Sequence, residues 1–317
     1  MKKFFEEYGF IILICVVVIS LVGIAIGIKP LMADSISNIT SSWGSEAKES
    51  LNDAWSEDGS SSSQEQDKTQ VTPISKTKSY IGKYADINCD GTVDGIIFAD
   101  FAFDKSGTYG TGTEYAQYGS YSYTAETTEL KDYYVSQASY TGAFGTAEVI
   151  APVSGKRDGS GVRFYVMFLQ DHYATGINNT CNWYYSAKDY NEVSFNISEY
   201  YSTIKDEFGA GQLNTEEMLY LWSNEILGSR NTEDIWSAIG DRINQAYDFV
   251  PSRAQWAAFA DAFGITSLNY EQYGLNSSYW SSTPCIDYCA YATAFSLGGI
   301  INNGFRSDCH VRLMTFM

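Results

Sequence analysis

A run of twenty uncharged, mostly apolar residues near the N-terminus, 9–28, places the strongest constraint on this chain. At a rise of about 1.5 Å per residue, a helix of this length crosses the hydrocarbon core of a bilayer. A cleaved signal peptide has a shorter apolar region followed by a small-residue cleavage motif, and no such motif follows here before Lys29. The run therefore predicts one uncleaved transmembrane helix at 9–28, preceded by a short tail at 1–8.

The charges around this run predict its orientation. Lys2 and Lys3 precede it and Lys29 follows it, so the positive-inside rule favours a cytoplasmic N-terminus by a small margin. The acidic, Ser-rich remainder of the chain also favours a location outside the cell. We expect a single-pass protein of the cell membrane whose C-terminal head is extracytoplasmic.

Two accessory segments follow the predicted anchor. In residues 29–56, apolar side chains recur every three or four positions, as on one face of a helix. This predicts an amphipathic helical stem, which resembles the stem of pilin-like subunits; a plain membrane-proximal stalk is the alternative. Residues 57–76 begin with EDGSSSSQEQDKTQ, which has almost nothing to bury, and they predict a flexible Ser-rich linker. The remaining residues, 77–317, form the predicted head.

Composition excludes several classes of partner. A net charge of −18 argues strongly against nucleic acid as a partner, because phosphate binding needs a basic footprint. The six Cys contain no CxxC pair and predict neither a zinc site nor a disulfide scaffold. The 25 Tyr suit a recognition surface, although a β-rich fold that favours aromatic residues would have the same composition.

The pattern along the head predicts an α+β fold. Four runs predict strands: GIIFADFAF from Gly95, YSYTA from Tyr121, GTAEVIAPV from Gly145 and VRFYVMFL from Val162. A helix is expected over 214–227, with Asn214 as N-cap and Glu217 completing a capping box, and NTEDIWSAI from Asn231 repeats that pattern. A third helix is expected to start at the capping residue Ser252 and to end at Gly264. Strands, then helices, then loop-rich strands favour α+β over a parallel α/β sheet.

The C-terminal motifs are specific enough to compare with a family. FVPSRAQWAAFADAFG from Phe249, YWSST from Tyr279, a Gly/Asn-rich stretch and CHVRLMTF from Cys309 resemble the C-type-lectin fold. The similarity is to the branch that contains formylglycine-generating enzymes and the variable proteins of diversity-generating retroelements. It covers 245–317 clearly and 77–317 more faintly. It implies a ligand-binding region flanked by scaffold residues, which are Trp280, Ser281, Ser282, Val311 and Arg312.

Residues 284–310 have an unusual composition. They contain no Lys, Glu, Gln, Trp or Met, although these types make up about one residue in six of the chain. The same segment holds three of the six Cys and one of the two His. In the retroelement family, mutagenesis randomises adenines, and an Asn codon changed at its first two bases cannot yield those five types. The resemblance therefore implies a sequence-diversified face at about 284–310; a merely unusual loop is the alternative.

Strand alternation divides this region into two sets. Ala290, Ala292, Ala294 and Phe295 are the expected scaffold. The predicted ligand-binding residues are Cys285, Ile286, Asp287, Tyr288, Cys289, Tyr291, Thr293, Ser296, Leu297, Ile301, Asn302, Asn303, Phe305, Arg306, Asp308, Cys309 and His310. We expect this set, together with Gly299, to be exposed. Its aromatic residues and Arg306 are of the types that most often dominate binding energy.

A second candidate site precedes the first long strand. Asp86, Asn88, Asp90, Thr92 and Asp94 occupy positions 1, 3, 5, 7 and 9 of a loop with Gly91 at position 6. This spacing suits a hard cation and resembles the loops of dockerins and EF-hands. Ile97 replaces the acidic residue expected at position 12, so one bidentate ligand is missing. The loop predicts a weak, structural calcium ion, and a metal-free Asp/Asn/Gly turn is the alternative left open.

The function expected from these features is ligand binding at the cell surface, by an adhesin-like or receptor-like protein that requires no cofactor. The expected ligand is a protein or glycan on another cell or on a phage. An extracytoplasmic formylglycine-generating enzyme is one alternative, but Cys285 and Cys289 are spaced by four rather than five and no Arg-rich run follows. A structural pilin-like subunit is the other. We predict no catalysis and interpret Asp171, Asp248 and Asp261 as surface charges or caps.

Overall fold

A computed structural model describes residues 72–102, 106–108, 120–122, 132–153, 162–172, 179–186, 207–243, 247–285 and 289–317. All of them belong to one compact unit, Lys68–Met317. The predicted anchor, the predicted stem and linker residues 57–71 lie outside the described residues. None of the helices that are described is long and apolar enough to span a membrane.

The larger sheet of the head contains seven of the described strands in the order β1-β6-β7-β2-β3-β8-β12. Their bounds are Thr72–Pro73 (β1), Tyr84–Ala85 (β2), Gly95–Asp100 (β3), Tyr133–Gly142 (β6), Gly145–Pro152 (β7), Phe164–Phe168 (β8) and Met314–Phe316 (β12). Ser106–Thr108 (β4) and Ser120–Ser122 (β5) form a separate pair. Within the large sheet β2 and β7 run parallel, and the other neighbours run antiparallel.

The sequence explains why the centre of this sheet is buried on both faces. Every residue of β3 is buried, as its continuous apolar run predicts. Its last residue, Asp100, is charged, and a buried ion pair compensates for its burial. The Asp100 carboxylate accepts hydrogen bonds from Nε and Nη2 of buried Arg163 at 2.8 and 3.0 Å. The other Arg163 donors reach the carbonyl oxygens of Ser75 and Lys78, so the ion pair fastens residues 75–78 to the sheet.

Three α-helices are described: α1 (Gly211–Ser223), α2 (Ile235–Ile243) and α3 (Arg253–Ala262). The third begins as predicted, with a capping box. The Ser252 hydroxyl oxygen accepts from the backbone N–H of Gln255, and the Gln255 side-chain oxygen accepts from the backbone N–H of Ser252. The predicted N-cap of the first was wrong. This helix starts at Gly211, whose N–H donates to the side chain of Gln255, and Asn214 lies buried one turn inside it. A partner 44 residues away therefore fixes this start.

A second sheet contains two of the C-terminal motifs, YWSST and the Gly/Asn-rich stretch. Its strands β9 (Ser278–Pro284), β10 (Cys289–Ala294) and β11 (Gly299–Gly304) are antiparallel, in the order β11-β10-β9. Together with the large sheet and the helices, it makes the head a mixed α+β unit. The predicted fold class is confirmed at this level.

Two apolar clusters cover this second sheet. One contains Tyr279, Phe295 and Ile300 and includes residues of α3. The other contains Trp280, Ala290 and Ala292 and includes residues of α1 and α2. Because opposed residues in an antiparallel pair point to the same side, these two sets occupy opposite faces of the sheet. A third cluster lies on the large sheet, around Ile97, Ile150 and Phe164.

Candidate recognition face

The scaffold of the candidate face is held by three tryptophans. Trp280 in β9 donates its indole N–H to the carbonyl of Cys181 at 2.7 Å. Trp256 donates to the carbonyl of Trp280 at 3.1 Å, and Trp183 donates to that of Ser281 at 2.9 Å. All three rings are fully buried. Each indole thus adds a directed bond to the burial of its ring, which fixes β9 against α3 and against the segment around 181–184.

A buried ion pair joins the segment after β8 to Arg312, and β9 contacts it through Tyr279. Arg312 donates from Nε to Asp171 Oδ1 at 2.6 Å, and the same carboxylate accepts from Tyr279 Oη and from Asn276 Nδ2. Asp171 is 8% exposed, so its interpretation as a surface charge was wrong. The partners of this carboxylate lie more than 100 residues away along the chain, which sequence spacing does not reveal. Burial raises the pKa of the Tyr279 hydroxyl, which keeps it a donor to the carboxylate.

Asp248 is also buried rather than at the surface, at 7% exposure.

All five residues assigned to the scaffold are buried, namely Trp280, Ser281, Ser282, Val311 and Arg312. The Ser281 hydroxyl donates to the carbonyl of Tyr291 at 2.7 Å and accepts from the Thr283 amide. These bonds tie β9 to β10 at the bulge, where the ladder between the two strands is interrupted.

The predicted ligand-binding residues divide by exposure. Ser296, Leu297, Asn302, Arg306 and Asp308 are exposed. Cys285, Cys289, Tyr291, Ile301, Asn303 and His310 are half-buried, as is Gly299. Ile286, Asp287 and Tyr288 lie outside the described residues. The exposed and half-buried residues, without the buried ones described next, are called the recognition face below.

Three predicted members of the exposed set are buried, and that expectation was wrong for them. Phe305 is 4% exposed because its ring stacks on Trp183, with centroids 4.5 Å apart. Thr293 is fully buried between Tyr279 and Ile300, since α3 covers this end of the sheet. Cys309 is fully buried opposite Cys181. The predicted alternation failed because both faces of the sheet are covered, whereas alternation assumes one wet face.

Two residues outside 284–310 belong to the same surface. The guanidinium of Arg253, at the start of α3, lies over the ring of Tyr291, 4.3 Å from its centroid. Tyr185 is 45% exposed, its carbonyl accepts from Arg306 Nε at 3.0 Å, and its ring lies 5.5 Å from that guanidinium. Sequence reasoning missed both, because each partner is distant along the chain. Cation–π stacking holds these two arginine–tyrosine pairs in fixed orientations.

One end of the face is closed by a disulfide. Cys285 and Cys289 are bonded to each other, and the Cys285 amide donates to the Cys289 carbonyl at 2.7 Å. This bridge joins the residue after β9 to the first residue of β10. The two thiols on which the enzyme alternative depends are thus joined in this structure.

The predicted calcium loop forms the turn between β2 and β3. Both oxygens of Asp86 accept backbone N–H bonds, from Asp90 and from Gly91, at 3.1 Å each. Asp90 accepts from the Thr92 amide and Asp94 from the Ile87 amide, both at 2.7 Å. Burial raises the pKa of Asp86, whereas the Thr92 amide lowers that of Asp90.

Through these bonds, the carboxylates of the 86–94 loop accept hydrogen bonds from backbone N–H groups of the same loop. Gly91 adopts a positive φ of 86°, and Cys89 one of 61°, which lets successive N–H groups turn toward Asp86. Within the described ranges, no group of three or more His, Cys, Asp or Glu side chains is arranged to hold a metal ion. The calcium ion stays a prediction.

Comparison with known proteins finds no match for the chain. No protein-family model matches the chain. No curated protein and no solved structure shows significant similarity to it. The C-type-lectin resemblance therefore depends on the C-terminal sequence motifs alone.

Proposed function

We propose that this protein is a surface-displayed ligand-binding protein. Its C-terminal head is a C-type-lectin-like module whose region 284–310 is sequence-diversified, and an N-terminal helix anchors it in the membrane. The ligand is a protein or glycan on another cell or on a phage. This is an adhesin-like or receptor-like role without catalysis.

The proposal depends on which residue types are missing from 284–310 and on which of its positions are buried. The segment lacks the five residue types that adenine-directed change of an Asn codon cannot produce. The alanines at 290, 292 and 294 are all buried, as expected for residues that must not change. Asn302, at an exposed position, is the residue that an unmutated Asn codon would leave.

The scaffold supports the proposal because its tryptophan hydrogen bonds and its buried ion pair lie outside the recognition face. The tryptophan bonds and the Asp171–Arg312 ion pair involve residues outside 284–310. A head held this way keeps its fold when exposed residues change, because surface substitutions away from special features shift stability by about 0.5 kcal/mol or less.

The chemistry of the face suits polar, ring-bearing ligands. Tyr291 and Tyr185 each have an arginine against the ring, and Asn302 and Asp308 add hydrogen-bonding groups nearby in sequence. Aromatic rings and arginines provide most of the affinity in interfaces, and amides and carboxylates provide direction. The net charge of −18 argues against polyanions such as nucleic acids as partners.

Binding is tested with the full chain in detergent micelles against an array of immobilised glycans and against intact bacterial cells and phage particles. A triple variant, Leu297→Ser, Asn302→Ala and Arg306→Ala, should lose the binding that the unmodified chain shows while keeping its thermal unfolding temperature, because all three side chains are exposed. Tyr220→Ser is the matched control, because Tyr220 is 59% exposed on α1 and outside the face. It should retain both properties.

Equal binding by the triple variant and the Tyr220 control would contradict the proposed face. The diversification itself is tested in the genome of the source organism. A near-copy of the coding sequence for 280–316 is expected near a reverse transcriptase gene, with Asn codons at the positions that vary. Absence of such a copy would contradict the diversification and leave a fixed binding surface.

A further inference from the structure

Two cysteines outside the Cys285–Cys289 bridge face each other across a short antiparallel contact. Cys181 and Cys309 exchange both backbone bonds, N–H to carbonyl at 2.9 Å in one direction and 3.2 Å in the other. Their exposed fractions are 2% and 0%, and both belong to the apolar cluster under β10. Both are thiols in this structure.

The backbone pairing of Cys181 and Cys309 implies a Cα separation within the range that disulfides span. Antiparallel residues that exchange both backbone bonds have Cα atoms about 5.5 Å apart and side chains on the same side of the ladder. Disulfides span Cα separations of about 4.4–6.8 Å. The other described cysteine thiol, that of Cys89, donates to the carbonyl of Pro152 and lies in the turn before β3. Cys181 is therefore the partner that the geometry gives to Cys309.

We propose that Cys181 and Cys309 form a second, structural disulfide when the chain folds in an oxidising environment. The oxidant is a small-molecule disulfide such as oxidised glutathione. One cysteine thiolate attacks it, which forms a mixed disulfide and releases one glutathione thiolate. The other cysteine thiolate then attacks the mixed disulfide, forms the Cys181–Cys309 bond and releases the second. The two cysteine protons end on the two glutathione thiols, so two electrons pass to the oxidant.

The bridge forms during folding rather than afterwards. Burial raises the pKa of the Cys309 thiol, and the Asn303 side-chain amide donates to its sulfur at 3.3 Å. A thiol that is buried and protonated reacts slowly with a dissolved disulfide. Oxidation must therefore occur while the two segments are docking.

The bridge would join the recognition face to the segment that supports it. Residues 181–185 include Trp183, which stacks on Phe305, and Tyr185, which holds Arg306. Closing a loop of about 130 residues removes a large conformational entropy from the unfolded chain. The bridge would form whichever ligand the face binds.

The test refolds the full chain, in detergent micelles, from a reduced and denatured state by dilution into excess oxidised glutathione. Remaining thiols are alkylated, and a non-reducing peptide map is read by mass spectrometry. We expect a linked pair of peptides that contain Cys181 and Cys309, a linked Cys285–Cys289 peptide, and an alkylated Cys89. Full alkylation of both Cys181 and Cys309, or a link from Cys309 to another cysteine, would overturn the proposal.

Thermal unfolding separates the two bridges. A variant with Cys285→Ser and Cys289→Ser should still lose about 10 °C of melting temperature when reductant is added. The same variant with Cys309→Ala in addition should show no such shift. Cys181→Ala in place of Cys309→Ala should give the same result, which guards against a packing defect specific to position 309.

Discussion

At the scale of single residues, Thr293 has a buried hydroxyl without a hydrogen bond in the described part of the chain. It is fully buried at the centre of β10, and its hydroxyl has no hydrogen-bond partner among the described residues. Burying an unpaired hydroxyl costs about 1–3 kcal/mol. We expect Thr293→Val, which keeps the shape and removes the hydroxyl, to raise the free energy of unfolding by about 1 kcal/mol in denaturant titrations.

The matched control for Thr293 is Thr315 in β12. It is equally buried, but its hydroxyl donates to the carbonyl of Tyr247 at 2.9 Å. Thr315→Val should therefore lower stability by about 1 kcal/mol, because that carbonyl loses its donor. Destabilisation by both changes would mean that the Thr293 hydroxyl has a partner after all.

Phe305 and Arg306 are neighbours in sequence with opposite expected roles. Phe305→Ala should cost about 3–5 kcal/mol of unfolding free energy, because it empties the space against Trp183. Arg306→Ala should change stability by about 0.5 kcal/mol or less, because its side chain is exposed. Thermal and denaturant unfolding of the two variants provide the comparison, and equal losses would contradict the placement of Phe305.

Sequence reasoning could predict the buried alanines of β10 but not the burial of Phe305. Small residues that recur at every second position mark the inner face of a strand. The burial of Phe305 depends on Trp183, which lies more than 100 residues earlier in the chain. Nothing in the local pattern distinguishes Phe305 from an exposed aromatic residue, so only the tertiary contact could assign it.

At the scale of elements, the 86–94 loop gives a prediction that separates a turn from an ion site. Asp86→Ala removes the acceptor of two backbone N–H groups and should lower the melting temperature in chelator. Asp90→Ala, at an exposed residue, should have little effect in chelator. If the loop binds calcium, calcium should raise the melting temperature of the unmodified chain but of neither variant. Equal melting temperatures with calcium and chelator would contradict the predicted ion.

The starts and ends of elements were predictable where local chemistry fixes them. The capping box at Ser252 set the start of α3, and Gly264 follows its end with a positive φ of 60°. The start of α1 was missed because its first N–H is satisfied by Gln255 in another helix. Strand β6 was also missed, because polar and apolar residues alternate poorly along it. Its pairing with β7 is what fixes it as a strand.

At the scale of the whole molecule, the α+β class followed from the order of strand and helix patterns. The arrangement of the sheets did not. The order of the large sheet places β12, at the chain end, beside β8, and the Arg312–Asp171 ion pair fastens residues far apart in sequence. Such pairings depend on which surfaces remain uncovered after the local helices and strands form. The spacing of residue types along a single sequence does not show which surfaces these are.

The predicted membrane anchor determines on which side of the membrane the head lies. If 9–28 spans the membrane and the linker residues before β1, 57–71, are exposed, protease added to intact cells should cut the linker. The head should then appear in the medium as a folded fragment, and a small fragment should stay with the membrane. Immunoblots against tags at the two ends of the chain measure both fragments.

A variant that lacks residues 57–70 is the control for the site of cleavage. It should resist the protease, because it removes the most polar and Ser-rich stretch between the predicted stem and the head. Permeabilised cells serve as the control for topology, because the protease then reaches both sides of the membrane. Cleavage only after permeabilisation would place the head in the cytoplasm and contradict surface display. A head released into the medium without protease would instead mean that the N-terminal helix is cleaved as a signal peptide.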